Sequence, residues 1–189
     1  MPLKLSGAKN VNKSGGKYDG PCYISVGANL NPERNIIRAL ARLDSIHRLT
    51  GVSVFYRTKA IDRPEQPDYL NGVVSIHYSG VLRSLKFNVL RRIEELLGRE
   101  RSKDAFAARP IDLDIILCGD LFLREPGLII PDPDIRERPF LVGALLDLDP
   151  EITLPDNRGP LKGMAASPEI RELQVARSFS ATIKERFAK

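Results

Sequence analysis

No apolar run in the chain approaches the roughly 20 residues that a membrane-spanning helix needs, so a transmembrane protein is not expected. An apolar h-region near the start is also missing, which argues against a cleaved export signal and for a cytoplasmic location. Cysteine is scarce. Cys22 and Cys118 both fall in β-rich runs, where small buried thiols are usual, and no spacing asks for a disulfide or forbids one. Internal repeats and clear linkers are absent, so residues 21–189 are expected to form one domain. The hydrophobic share of 42% and charged share of 28% suit a globular chain with a substantial core. The net charge of +5 is compatible with nucleic acid, an acidic small ligand or merely a solvated surface, and does not choose among them. Residues 1–20 are rich in Gly, Ser, Asn and Lys and too poor in apolar groups to offset ordering entropy. They read as a flexible basic arm.

What is present centres on Ala108–Leu117, ARPIDLDIIL. Asp112 and Asp114 stand two apart in a run of Ile and Leu that otherwise reads as a buried strand. Alternation puts both carboxylates on one face and Leu113 and Ile115 on the other. Side by side they repel, and away from water each is costly without a positive partner. A hard divalent cation meets that need, because Mg²⁺ is commonly held by one or two carboxylates plus phosphate oxygens. Arg109 can bring a phosphate-matching fork to the same place. An internal Asp–Arg cluster is the alternative. On the metal reading the paired acids are a liability in the empty protein, so Asn substitutions should leave stability level or raise it.

Periodicity outlines the rest. Cys22–Val26 reads as a strand, and Asn31-Pro32-Glu33 starts a helix with Asn as cap and Ile36, Ile37, Leu40 and Leu43 as its stripe. Val52–Thr58 and Tyr69–Tyr78 read as two further strands, with a polar loop between. Leu82, Leu85, Val89, Ile93 and Leu96 mark a second helix stopped at Gly98, Arg99–Ala108 a charged loop, and Ile111–Leu117 a fourth strand. The order β-α-β-β-α-β is the split pattern of an α+β, ferredoxin-like sandwich. Leu128–Ile130 adds an edge strand and Phe140–Leu148 a helix. A last helix from Ser167-Pro168-Glu169 would bury Ile170, Leu173, Phe179, Ile183 and Phe187.

Six pieces in a fixed order carry a resemblance: YISVGANL (Tyr23–Leu30), FYRT (Phe55–Thr58), QPDYLN (Gln66–Asn71), IEELLGRER (Ile93–Arg101), ARPIDLDIIL and RPFLVGALLDLDPEI (Arg138–Ile152). Together the chain resembles the 6-hydroxymethyl-7,8-dihydropterin pyrophosphokinases of folate biosynthesis, which move diphosphate from ATP to a pterin alcohol and release AMP. The resemblance implies an ATP-dependent diphosphotransferase acting as a monomer, two Mg²⁺ ions and no covalent intermediate. By that likeness Asp112 and Asp114 would hold both ions, and Arg99 and Arg109 would close over the phosphates as catalytic residues, with Arg101 in the same loop. Glu94, Ile115 and Arg138 would join the nucleotide site. Tyr69 and Phe140 would sandwich the pterin, Gly27, Thr58 and Asn71 would read its edge, and Phe106 would act as a lid.

Departures concentrate on the nucleotide side. The family's Pro-His run becomes Pro131-Asp132-Pro133, which puts an acid beside an anionic ligand. Gly127 and Ile129 stand where an Arg and a Thr approach the nucleotide, and Lys59-Ala60 replaces a Pro-rich pair. Two other functions are therefore weighed: a catalytically weakened relative that senses pterin or phosphate, and a basic nucleic-acid-binding module. Against the latter, the strands lack the K/R-G-F-G-F pattern of RNA-recognition motifs, and Asp112 and Asp114 would face phosphate.

Overall fold

In the computed structural model, which describes residues 16–100, 104, 107–155 and 160–187, the central strand β1 (Tyr18–Ala28) buries Cys22, Ile24, Val26 and Ala28 on one face. Against that face lies α1 (Pro32–Ile46), whose Ile36, Ala39, Leu40 and Leu43 follow the spacing of a single helix stripe. The chain returns as β2 (Leu49–Val52) and β3 (Tyr56–Thr58), which share one edge of β4 (Tyr69–Gly80). A continuous helical stretch follows: α2 (Leu82–Ser84), a π-helical turn over Leu85–Leu90, and α3 (Arg91–Leu96). Then β5 (Asp112–Cys118) takes the other side of β1. The remainder is a hairpin of β6 (Leu123–Glu125) and β7 (Leu128–Ile130), α4 (Asp134–Glu137), α5 (Pro139–Leu148), a 3-10 turn over Leu161–Met164, α6 (Pro168–Arg171), β8 (Gln174–Val175) and α7 (Arg177–Phe187).

The fold is a mixed α/β one. Its six-stranded sheet runs β5-β1-β4-β3-β8 with β2 also on β4, every pairing antiparallel. Side chains of α1, the α2–α3 stretch and α7 fill one face of the sheet. On the other, α5 packs Leu141, Val142 and Leu145 against Tyr56, Val73 and Ile116. No helix among the described residues is long and apolar enough to cross a membrane.

Several expectations need correction. β1 begins at Tyr18, so the last residues assigned to the arm are paired with β4, while residues 1–15 lie outside the described part. Asn31 precedes α1 but sits in the left-handed region, and its side chain caps nothing. The strand expected over Val52–Thr58 is broken in two. Between the pieces Ser53 Oγ accepts the Val73 amide at 2.9 Å, and Phe55 turns into the core, edge-on to Phe179. Phe55 lies over Gly72, where a Cβ would come within 2.9 Å of its ring. In the second helix the buried positions are Leu82, Leu85, Leu90, Ile93 and Leu97, while Leu96 is 50% exposed. The five-residue step from Leu85 to Leu90 is the π turn, which inserts one residue into the helix and moves the apolar stripe. β7 pairs only with β6, not with the main sheet. The last helix is interrupted: Ile170 and Leu173 pack beside α5, whereas Phe179, Ile183 and Phe187 lie across the sheet, with β8 in between.

The outer edge of β5 is closed by side chain and loop rather than by another strand. The Leu113 amide donates to Glu94 Oε1 at 2.8 Å, and the Asp132 amide donates to the Ile116 carbonyl at 2.8 Å. Both bonds satisfy groups that an open edge would leave available for aggregation. Glu94 is 3% exposed, and burial pushes its carboxyl up to about 7, with Arg99 and the Leu113 amide offsetting only part of that push.

A raised carboxyl binds protons more tightly in the folded state than in the unfolded one. Its stabilising effect is complete below the unfolded value near 4.5 and fades as pH rises through about 7. Urea unfolding of the wild type and Glu94→Gln at pH 5 and pH 8 should therefore show the wild type losing ground to the variant by on the order of 2 kcal/mol at the higher pH. A difference that stays constant, or moves the other way, means that Glu94 is ionised as an ordinary carboxylate.

Candidate active site

Strand register brings the sequence-predicted residues into one row. Asp112 on β5 lies opposite Gly27 on β1, Gly27 opposite Asn71 on β4, and Asn71 opposite Tyr56 on β3. A side chain at position 27 would collide: a Cβ there would stand 2.5 Å from Asn71 Oδ1. Glycine thus lets the amide lie across β1, where Asn71 Nδ2 donates to Thr58 Oγ1 at 2.7 Å. Thr58 pairs in turn with Tyr69. Above this row opens a cavity of about 460 Å³ lined by Gly27, Thr58, Tyr69, Asn71, Arg109, Asp112, Arg138 and Phe140. Tyr69 and Phe140 are both half-buried, which leaves ring surface for a flat guest. Lys59 and Ala60 also reach this wall, with Lys59 paired to Asp68 at 2.9 Å.

Asp112 closes one end of the cavity. Its Oδ2 accepts Arg109 Nη1 at 2.5 Å, and its Oδ1 accepts Arg99, whose same nitrogen also reaches Glu94. Burial would raise the Asp112 carboxyl, but Arg99 and Arg109 together outweigh it and hold the group below the usual carboxylate range. Asp114 is more open, and its Oδ1 meets Lys86 Nζ at 2.7 Å. The paired acids are therefore balanced by the protein's own cations. The structure revises the expectation that an Asn at either position would leave stability level or higher: at Asp112 it would remove the carboxylate that two partly buried guanidiniums share.

Two residues missed at the sequence level set this geometry. Asn29, 2% exposed, accepts the Arg109 amide on Oδ1 at 2.8 Å and donates to Gln66 Oε1 at 3.0 Å. It fixes Arg109 from behind and ties the loop before β4 to the end of β1. A buried Asn directly after a strand was the available signal, since such a group must find partners. Lys86 gave no signal, because on a regular α-helix nothing singles it out.

Other expected residues lie apart. Ile115 is buried in the core on the sheet face opposite Asp112 and Asp114, so its side chain does not enter the cavity. Glu94 stands behind Arg99 rather than on the cavity wall. Arg138 is on the wall but pairs with Asp134 at 2.7 Å. Asp132 uses its carboxylate to accept the Asp134 amide at 2.8 Å. Gly127 has a φ of +75° and faces Phe87, whose ring lies 3.3 Å from where a Cβ would be, and Ile129 is 42% exposed. Phe106 and Arg101 lie outside the described residues.

A donor set of two carboxylates fits a hard divalent ion that takes the rest of its shell from a ligand's oxygens and water. It does not fit an all-protein cage: among the described residues no group of three or more His, Cys, Asp or Glu could hold a metal.

With this geometry in place, the comparisons with known proteins converge. The sequence model of the 7,8-dihydro-6-hydroxymethylpterin-pyrophosphokinase family matches residues 23–150. A 2-amino-4-hydroxy-6-hydroxymethyldihydropteridine pyrophosphokinase from Haemophilus influenzae is 34% identical over 141 residues, which cover 72% of this chain and 86% of that protein. The protein of the same name from Pseudomonas aeruginosa is 33% identical over 151 residues, 77% of this chain and 91% of its own length. The crystal structure of wild-type Plasmodium falciparum HPPK-DHPS superposes with a TM-score of 0.57 at 12% identity, over 92% of this chain and 47% of that longer one, which shows likeness of fold. The match across residues 23–150, with relatives covered nearly end to end, places this chain in the 7,8-dihydro-6-hydroxymethylpterin-pyrophosphokinase family.

Proposed function

We propose that this chain transfers diphosphate from ATP to the hydroxymethyl oxygen of 6-hydroxymethyl-7,8-dihydropterin, releasing AMP, as a cytoplasmic monomer in folate biosynthesis. The observation that carries this reading is Asp112, held by Arg99 and Arg109 at the end of a cavity flanked by Tyr69 and Phe140. The antiparallel order of the sheet, with β1 between β4 and β5, supports reading the core as ferredoxin-like, extended by β8 and the C-terminal helices. The chain from Tyr18 onward then forms one pyrophosphokinase domain, and the basic arm is the stretch before it.

The pterin lies between Tyr69 and Phe140, with the Asn71 amide and the wall of Gly27 and Thr58 reading its edge. Its hydroxymethyl oxygen bonds to the β-phosphorus of ATP and gives up its proton to solvent as the bond from that phosphorus to the oxygen of AMP breaks. Asp112 and Asp114 would hold the divalent ions, which would supply charge neutralisation on the phosphates. Arg109 and Arg99 leave Asp112 for phosphate oxygens, where a planar fork is better matched than to one carboxylate alone. Phe106 is assigned the lid, and Arg138 a phosphate contact reached by leaving Asp134. The energetic demand is positioning and charge stabilisation, so no side chain need become covalently attached.

The deciding assay is AMP release from ATP that requires both Mg²⁺ and the pterin. Pterin binding without AMP release would leave the sensor reading, and a salt-dependent RNA shift the nucleic-acid one.

Asp112→Asn and Asp114→Asn should each lower kcat by about 100-fold or more, since each removes an ion ligand. Their stabilities should part: Asp112→Asn loses about 1–3 kcal/mol by removing the carboxylate that Arg99 and Arg109 share, while Asp114→Asn, a single more open pair, stays within about 0.5 kcal/mol. Turnover at the wild-type rate in either variant would remove that residue from ion binding.

Arg109→Ala tests the clamp, because Arg99 also neutralises buried Glu94. Losing a charge-assisted contact made in the transition state costs about 2–4 kcal/mol, so kcat should fall about 30-fold or more. Pterin affinity, read by calorimetry, should move less, and Arg109→Lys should recover only part of the loss. An equal fall in pterin affinity and kcat would make Arg109 structural.

A further inference from the structure

The π-helical turn has a consequence at the site. By stepping five residues between buried Leu85 and Leu90, it keeps both leucines in the core and leaves Lys86 facing the outer edge of β5. From there the side chain, 19% exposed, reaches round the edge strand and sets Nζ 2.7 Å from Asp114 Oδ1. π turns occur mostly as single insertions in helices and are frequent at functional sites. Asp132 lies along the same outer edge, its amide on the Ile116 carbonyl. Burial raises its carboxyl, the Asp134 amide opposes, and the charges of Asp134, Asp114 and Lys86 also act on it, so Asp114, Lys86 and Asp132 share one field. Lys86 is the ion-pair partner of Asp114, whereas Asp112 is paired with Arg99 and Arg109.

An ammonium in contact with a carboxylate oxygen and a divalent ion bonded to the same group compete for one place, through both sterics and like-charge repulsion. Lysine suits an exchange. Its charge is a compact point on a flexible stem with three donors, and phosphate is a ready alternative acceptor. We propose that Lys86 is a positioning residue of the reaction: its ammonium holds the Asp114 carboxylate when no divalent ion is there, yields that place to the ion, and passes to a phosphate oxygen of the donor nucleotide. This rests on the pyrophosphokinase reading and adds a step of site loading to it.

The test uses Mn²⁺ as a spin probe, titrated by electron paramagnetic resonance into the full chain without nucleotide, and calorimetry of a non-hydrolysable ATP analogue at saturating Mn²⁺. In Lys86→Met, Mn²⁺ should bind about tenfold more tightly without nucleotide, because its competitor is gone. The analogue should bind about tenfold more weakly, because a phosphate contact is lost. Lys86→Arg keeps the charge and should stay within a few-fold of wild type in the first measurement. Pterin affinity should be unchanged in both, which shows the fold intact; Lys86→Gln serves if the Met variant does not fold. Equal Mn²⁺ affinity in wild type and Lys86→Met, or unchanged analogue affinity, overturns the exchange and leaves an ordinary ion pair. If neither protein binds Mn²⁺ or the analogue, the pyrophosphokinase reading falls, and Lys86's role with it.

Discussion

One carboxylate, Asp112, held between two guanidiniums, orders the site. Each arginine is fixed by something behind it: Arg109 through its amide to buried Asn29, Arg99 through buried Glu94. Glu94 also accepts the amide of Leu113, the residue next to Asp112 in the strand. The cluster is thus closed on itself, each charge oriented by the backbone of the strand that carries the acid. Such a network favours one geometry and penalises the loss of any member, since what remains is an uncompensated group away from water.

The edge position of β5 makes this arrangement available. A strand with neighbours on both sides would have its Leu113 amide and Ile116 carbonyl engaged in the sheet. At the edge those groups draw in Glu94 from α3 and the Asp132 amide from the loop after β7. Catalytic candidates from three parts of the chain are brought together as a by-product of covering an exposed edge. The acid at 132, read in sequence as a repulsive neighbour for phosphate, has an acceptor's task in this setting: it receives the Asp134 amide and shapes the entry to α4. Part of its charge is thereby turned toward the backbone.

Period-two reasoning was enough to place Asp112 and Asp114 on one face, because β5 stays regular over those residues. Just beyond, β5 shifts register against β1, and Ile116 and Leu117 turn to the same side, which no alternation pattern contains. The second helix shows a different limit. Leu82, Leu85, Val89, Ile93 and Leu96 satisfy α-helical spacing, so periodicity chose them. The structure prefers Leu90 and Leu97 because packing against the sheet accepts one inserted residue. The break between β2 and β3 was hidden for a similar reason. Ser53 and Phe55 lie in a run with good strand character, and only Gly72 across the sheet creates the space into which Phe55 turns. Residues carrying the site's chemistry were legible as types, whereas Asn29 and Lys86 matter through distant partners. The alternation that sets Asp112 and Asp114 toward the cavity sends the side chain of Ile115 to the core.

The charge balance of the site follows from these contacts. Glu94, Asp112 and Asp114 face Lys86, Arg99 and Arg109, so no counter-ion from solution is needed to hold the acids together. On the proposed reading, a polyanion arriving with divalent ions would bring both a better partner for the arginines and a better partner for the carboxylates. Exchange therefore replaces contacts rather than breaking them, and the unfavourable intermediate in which buried charges stand alone is avoided. A site already neutral is also one whose side chains are ordered before the ligand comes, which reduces the entropy lost on binding. On this account the departures at Gly127 and Ile129 need not empty the nucleotide side of charge. Phe87 packs on Gly127 while Arg83 and Arg91 stack on its ring at 4.7 and 4.0 Å, and Arg124 on β6 stands opposite Ile129, so both the helix and the hairpin carry cations beside these two positions.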